Sequence, residues 1–435
     1  MIDVKYKIYP EYKNSGVEWI GEIPEHWSLT KVKFISTCLD GARIPLNATE
    51  RSEMNGDIPY WGANNIVDYV NDYLFDEDLI LLGEDGAPFF DKTKDVAFNV
   101  SGKIWPNNHV HVLRPEKRKV DSRFYKYALN CSDFHLYISG STRDKLNQSD
   151  MNEIYIRNCD LNEQKQIANF LEHETAKIDT LIEKQIQLIK LLKEKRQAVI
   201  SHAVTQGLNP DAPMRDSGVE WLGEVPEHWE VAPTKHLCKF IKDGTHLPPP
   251  RVDNGIPLLS VRNIIDSKFV FREDDSNISK EDYQDLCRSF IPEQGDVLLA
   301  IVGATLGKVA IVNKMSKFHI QRSLGIFRVD PNKMSNETLF YIFSSTSFQS
   351  LLWEYVGFSA QPGIYLGTLE NFTLPVPPLE EQIKINDYCK SNTLKFDLLI
   401  KKAEKGIKLI QERRTALISA AVTGKIDVRD WKPVS

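Results

Sequence analysis

The chain has 435 residues, of which 42% are hydrophobic, 26% charged and 10% aromatic, with a formal net charge of -6. That length exceeds what one hydrophobic core usually organises, and the apolar content excludes a wholly disordered polymer. The six cysteines, Cys38, Cys131, Cys159, Cys238, Cys287 and Cys389, form no CxxC pair, which excludes a zinc-finger pattern and a disulfide framework.

Residues 1–14 form an N-terminal segment that mixes Asp3, Lys5 and Lys7 with single apolar residues, unlike a signal-peptide core. No stretch approaches the roughly 18 consecutive apolar residues of a membrane span, so no membrane contact and a cytoplasmic location are expected. A first globular domain is expected over 15–160. It opens on Ser15-Gly16-Val17-Glu18-Trp19-Ile20-Gly21-Glu22-Ile23-Pro24-Glu25-His26-Trp27, and 202 residues later the chain repeats this block as Ser217 to Trp229 with only Ile to Leu and Ile to Val changes. Self-similarity of this length marks a duplicated architecture.

A spacer helix follows over 161–206. From Ile178 its apolar positions step by four and three through Ile182, Gln185, Ile189, Leu192, Arg196 and Val199, the seam of a coiled coil. Asp160 and Glu163 have capping-box spacing, and Gly207 follows the end. Residues 207–216 are read as a linker, and a second globular domain is expected over 217–378. Weak echoes tie it to the first: Ile58-Pro59 before Asn65-Ile66 resembles Ile256-Pro257 before Asn263-Ile264, and Asp78 before Leu79 resembles Asp296 before Val297. The second spacer helix, 379–424, repeats the first at an offset of 218, with Glu163-Gln164 matching Glu381-Gln382 and a seam of Phe396, Ile400, Ala403, Ile407, Ile410, Arg414 and Leu417. Each helix spans about 44 residues, roughly 65 Å. Neither buries its stripe alone, so antiparallel pairing of the two is predicted. The tail 425–435 resembles the linker, as though the chain could close into a circle. The fold class is α/β (mixed α+β), with two globular domains alternating with two long helices and an internal pseudo-two-fold repeat.

Catalytic motifs are missing where they would be expected. Gly303-Ala304-Thr305-Leu306-Gly307-Lys308 is one residue too short for a phosphate loop and lacks the Ser/Thr after Lys308, so it is read as a strand-turn-strand between Val297–Val302 and Val309–Val312. His109 and His111 alternate on a predicted strand without a cluster of further ligands, and no metal is expected. No catalytic residue is assigned.

The duplicated SGVEWIGEIPEHW block, the Leu379-Glu380-Glu381-Gln382 start of a long helix and the endings Arg196 to Thr205 and Arg414 to Thr423 closely resemble specificity subunits of type I restriction-modification systems. The resemblance runs over essentially the whole chain. It implies two target-recognition domains, each reading one half of a split, asymmetric site on double-stranded DNA, with the helices fixing the unread gap. It also implies two methylation subunits that modify adenine and, where the complex also cleaves, two restriction subunits. No cofactor is then expected in this chain; S-adenosylmethionine, ATP and Mg2+ would sit on the partners. The charge limits the chain's own role: the two helices carry 16 Lys+Arg against 12 Asp+Glu, leaving 38 against 48 elsewhere. Phosphate attraction would then come largely from the partners, with base readout from a few side chains of this chain.

Base readers are expected among Arg, Lys, Asn and Gln on loops. The segment Gly140 to Asn147 aligns with Phe358 to Tyr365 and contributes Arg143, Lys145 and Gln361. Asn64 and Arg262 stand at equivalent places, where Asn65 and Asn263 would hold a shared turn. Lys308 and Arg322 are weaker candidates. Trp19, Trp27, Trp221 and Trp229 read as packing anchors. A pure assembly scaffold that never touches DNA remains the alternative in another class, as does an enzyme whose activity leaves no recognisable motif.

Overall fold

A computed structural model of the chain describes residues 6–139, 144–356 and 362–433. The chain divides into two compact units, Met1–Ile186 with Glu404–Ser435, and Gln187–Ala403.

In the first unit an antiparallel sheet runs in the order Ser36–Cys38, Val110–Pro115, Leu79–Gly83, Ala97–Val100. The run Leu79 to Gly83 is buried at every position, as expected of a strand covered on both faces. Helix Ser122–Asn130 buries Phe124, Tyr125, Tyr127, Ala128 and Leu129 in the same core. A second sheet pairs Asn55–Trp61 antiparallel with Ile66–Val70 and parallel with Lys103–Pro106.

The second unit repeats this plan. Cys238–Asp243, Leu324–Val329, Val297–Ala300 and Val309–Ile311 lie in the same order, with Lys268–Phe269 and Ile264–Ile265 added at the edge. Ile256–Leu259 pairs parallel with His319–Ile320, as Asn55–Trp61 does with Lys103–Pro106. Gly303 to Lys308 is the turn of the hairpin between Val297–Ala300 and Val309–Ile311. Gly303 and Gly307 both sit at φ +87°, and their amides are spent on Pro362 O (2.7 Å) and Ala300 O (2.9 Å), so no phosphate cradle forms there.

The two long helices run Leu161–Gln206 and Leu379–Val422, each gives a segment to both units, and within each unit the two segments run antiparallel. Within the first unit Arg414 Nε donates to Asp179 Oδ1 at 2.9 Å; within the second Arg196 Nε donates to Asp397 Oδ1 at 2.9 Å. These are one pair with the helices exchanged, because Arg196 and Asp179 align with Arg414 and Asp397 at the repeat offset. Ile178, Ile182, Ile189, Leu192, Val199, Ile400, Ile407, Ile410 and Leu417 are half-buried and Phe396 is buried, whereas Leu181, Leu188, Leu191, Leu398 and Leu409 are exposed.

The duplicated block has a definite task in each unit. Asp160 Oδ1 accepts the amides of Asn162 and Glu163 and so caps the first helix. Glu163, however, does not close the capping box that its spacing suggests. Its buried carboxylate accepts from Tyr9 Oη (2.7 Å) and Trp27 Nε1 (3.0 Å) on Oε1 and meets His26 Nε2 (2.8 Å) on Oε2. Glu381 repeats this with Trp229 Nε1 (3.0 Å) and His228 Nε2 (2.7 Å). The neighbouring glutamines cap a second helix each: Gln164 Oε1 accepts from Asp121 N and Gln382 Oε1 from Ser335 N, both at 2.8 Å. The same tryptophans receive the helix ends. Gly424 (φ +74°) packs on Pro24 so closely that a Cβ would lie 2.5 Å from it, and Gly207 (φ +78°) lies against Trp229 and Glu381, where a Cβ would be tight at 3.2–3.3 Å.

Candidate nucleic-acid interface

In each unit the main sheet ends in loops that carry polar and charged side chains. In the second unit this end holds Asp243, Ala300 and Leu324, placed side by side by the strand register. Arg322 follows the short strand His319–Ile320; its amide donates to Thr245 O at 3.1 Å and its side chain is exposed. With Asp243, His246, Ile301, Ile364 and Tyr365 it lines an open cavity of about 490 Å³. Lys308 is exposed in the hairpin turn at the same end. The segment Gly363–Ile364 is pinned there by the Val302–Gly363 bridge and by Ile364 N donating to Ile301 O at 3.0 Å.

The first unit has the same joint. Asp85 bridges Lys145, and Leu146 N donates to Glu84 O at 2.8 Å. The Lys145 ammonium lies 3.6 Å from Glu84 and is half exposed. Arg143 and Gln361 lie outside the described residues.

Arg262 and Asn263 have structural employment. Arg262 pairs with Asp274 (3.1 Å) and Asp275 (3.5 Å), which ties its guanidinium into its own loop. Asn263 is buried; it accepts from Ser260 N and donates to Val270 O and Asp275, and so holds the turn. Asn64 and Asn65 are exposed, and Asn65 contributes through its carbonyl, which accepts from Gly62 N at 2.8 Å.

Beneath the loops of the first unit lies a charged cluster that the sequence did not mark. Asp40 Oδ2 meets His111 Nδ1 at 2.5 Å, Asp40 Oδ1 accepts from Val112 N at 2.8 Å, and His111 Nε2 donates to Leu146 O at 2.8 Å. Arg43 Nη1 reaches Glu84 (2.6 Å) and Val110 O (2.7 Å). Burial would raise the Asp40 carboxyl, but His111, the Val112 amide and Arg43 outweigh it and hold it below the usual carboxylate range. Cys38, Asp40 and His111 offer ligand atoms within 4.8 Å of one another. They do not suit a metal: both imidazole nitrogens are engaged, and burial pushes the Cys38 thiol up to about 11, so it keeps its proton.

The sign of the Asp40 shift sets a pH window. A carboxylate lowered on folding contributes stability above its unfolded value and loses it as pH falls through the folded one. Asp40→Asn is therefore expected to cost roughly 3 kcal/mol at pH 7, because it leaves the buried His111 imidazole and the Arg43 guanidinium without their carboxylate. That difference from the parent should shrink below about pH 4. Denaturant melts at pH 7, 5 and 3 measure it; a difference that stays constant over that range would remove the charge argument.

Each unit thus joins a rigid sheet to a loop-bearing rim, the layout of a modular recognition protein. The family model described as type I restriction modification DNA specificity domain matches residues 24–191 and again 226–408, and the chain belongs to that family. It is 24% identical over 427 residues to the type I restriction enzyme MjaVIII specificity subunit of Methanocaldococcus jannaschii, covering 94% of this chain and 95% of the relative. To the EcoBI specificity subunit of Escherichia coli it is 26% identical over 337 residues, 75% of this chain and 70% of that one. Among solved structures, a chain from work on complex assembly and conformational transition of the type I R-M system superimposes with a TM-score of 0.66 at 16% identity, covering 92% of this chain and 98% of the other. At that identity the likeness concerns the fold. No helix among the described residues is long and apolar enough to cross a membrane.

Proposed function

We propose that this chain is the sequence-reading subunit of a type I restriction-modification complex. Domains 15–160 and 217–378 each read one half of a split, asymmetric DNA site, and helices 161–206 and 379–424 carry them. The chain catalyses nothing itself. It directs adenine methylation by two methylation subunits and, in a complex that also holds two restriction subunits, ATP-dependent cleavage, all in the cytoplasm. The observation that carries this reading is the contrast within the duplication. The Trp-Glu anchors, the Gln caps and the strand order are repeated, while rim residues at matching points differ: Lys145 and Asn147 in one unit stand where Gly363 and Tyr365 stand in the other. One scaffold with two unlike rims is what two different half-sites require.

The test is methylome sequencing of a host that expresses this chain with its methylation subunit. A split motif is expected, with Arg143→Ala degrading one half and Gln361→Ala the other; losing a bidentate base contact costs about 1–3 kcal/mol, or roughly tenfold to hundredfold in discrimination. Modification that does not depend on the chain would return the scaffold reading.

A further inference from the structure

One echo between the two units is not explained by the scaffold. Asp40-Gly41-Ala42-Arg43-Ile44-Pro45 matches Asp243-Gly244-Thr245-His246-Leu247-Pro248 in pattern: Asp-Gly, any residue, a basic residue, a large aliphatic residue, Pro. Both segments leave equivalent strands of the main sheet, Ser36–Cys38 and Cys238–Asp243, at the rim end. In both, the aspartate pairs with the basic residue three positions on, Asp40 with Arg43 at 3.5 Å and Asp243 with His246 at 2.6 Å.

The aliphatic residue then points outward. Leu247 is 88% exposed and Ile44 52% exposed. Covering either side chain would gain the free energy of removing its apolar surface from water. These loops are held open. The carbonyl of the aliphatic residue itself is fastened in each case, Ile44 O by Trp105 Nε1 at 2.7 Å and Leu247 O by Thr245 Oγ1 at 3.0 Å. The following proline restricts the aliphatic residue to extended backbone, and Pro248-Pro249-Pro250 stiffens the second loop further. In the second unit the tip stands beside the cavity lined by His246, Arg322 and Tyr365, and Tyr365 is 85% exposed. The result is a rigid apolar point on a polar rim, built twice.

We propose that Ile44 and Leu247 are apolar wedges, each entering one base step of the half-site that its own domain reads and partly unstacking it. This rests on the DNA-reading function above and adds how the half-site is probed: by its deformability, through a side chain that makes no base hydrogen bond. A pre-ordered wedge suits the task because its ordering entropy is already lost before DNA arrives.

The test uses the purified complex of this chain with its methylation subunit and duplexes carrying 2-aminopurine at successive steps of the modified motif. Wild type is expected to raise the fluorescence at one step in each half. Leu247→Ala should abolish the rise in one half and Ile44→Ala in the other, each weakening binding on the order of tenfold, while Leu247→Met keeps both the rise in its half and the affinity. Because both side chains are exposed, the variants should fold as the parent does. Binding by wild type with no rise at any step overturns the wedge and leaves DNA reading standing. Loss of affinity in Leu247→Ala with the fluorescence unchanged, reproduced by replacing thymine with uracil, overturns it in favour of a contact to a thymine methyl. A wild-type complex that binds no DNA overturns the reading and the wedge together.

Discussion

Glu163→Ala is expected to lower the stability of the first unit by about 4 kcal/mol. The substitution leaves the Tyr9 hydroxyl and the Trp27 indole N–H buried without acceptors, each at a cost of roughly 1–3 kcal/mol. Burial and the hydrogen bond to Glu163 already push the Tyr9 phenol far above its ordinary value, a mark of how dry this anchor is. Glu163→Gln separates the hydrogen bonds from the charge. Both Tyr9 and Trp27 use Oε1, which the amide keeps, so this variant should lose only about 1 kcal/mol. Glu381→Ala should be milder than Glu163→Ala, because the Glu381 carboxylate is partly solvated. Two units need not unfold together, so calorimetry combined with hydrogen exchange is the suitable measurement. The transition of the first unit should fall by roughly 10 °C in Glu163→Ala. Equal losses in the Ala and Gln variants would show that charge and not hydrogen bonding anchors the block.

Asp296→Ala and Asp78→Ala are expected to differ by several kcal/mol, although both residues precede an apolar strand at matching points of the repeat. Asp296 is 2% exposed. It receives the Arg328 guanidinium bidentately, Nε to Oδ1 and Nη2 to Oδ2 at 2.8 Å each, and the amide of Glu293 at 2.7 Å. Removing it takes both charge-assisted hydrogen bonds and the buried counter-charge from the arginine that stacks on Phe240, leaving it Glu293 and the Ile291 carbonyl, with a loss of about 3 kcal/mol. Asp78, 48% exposed, meets the solvated end of Lys117 at 2.9 Å and the Ser101 hydroxyl, and such surface pairs are worth about 0–1 kcal/mol. Urea unfolding of each variant, followed by probes in its own unit, measures the contrast; similar losses at both positions would sink it.

Much of this molecule is legible in its sequence because the physics involved is local or periodic. The identical blocks announce the duplication, and the four-three spacing from Ile178 and Phe396 determines which helix face is sheltered. Gly207 and Gly424 mark the helix ends because only glycine takes the positive φ found there cheaply. The DNA-reading role is legible only through the family resemblance of the repeated blocks, because a net charge of -6 by itself argues against a chain that holds DNA on its own. Other features depend on which distant residues meet. Glu163 has the spacing of a capping box, yet its carboxylate turns to Tyr9 and Trp27, with the exposed His26 at its outer edge, since two buried donors outcompete one amide at a helix end. Arg262 resembles a free base reader until folding brings Asp274 and Asp275 against it. The Asp-Gly-basic-aliphatic-Pro echo was present in the chain all along, but only exposure separates a wedge from a core residue. Identical residues at matching points, Asp78 and Asp296, acquire different weights because burial is a property of the assembled sheet. Tertiary structure alone decides how much water each of them keeps.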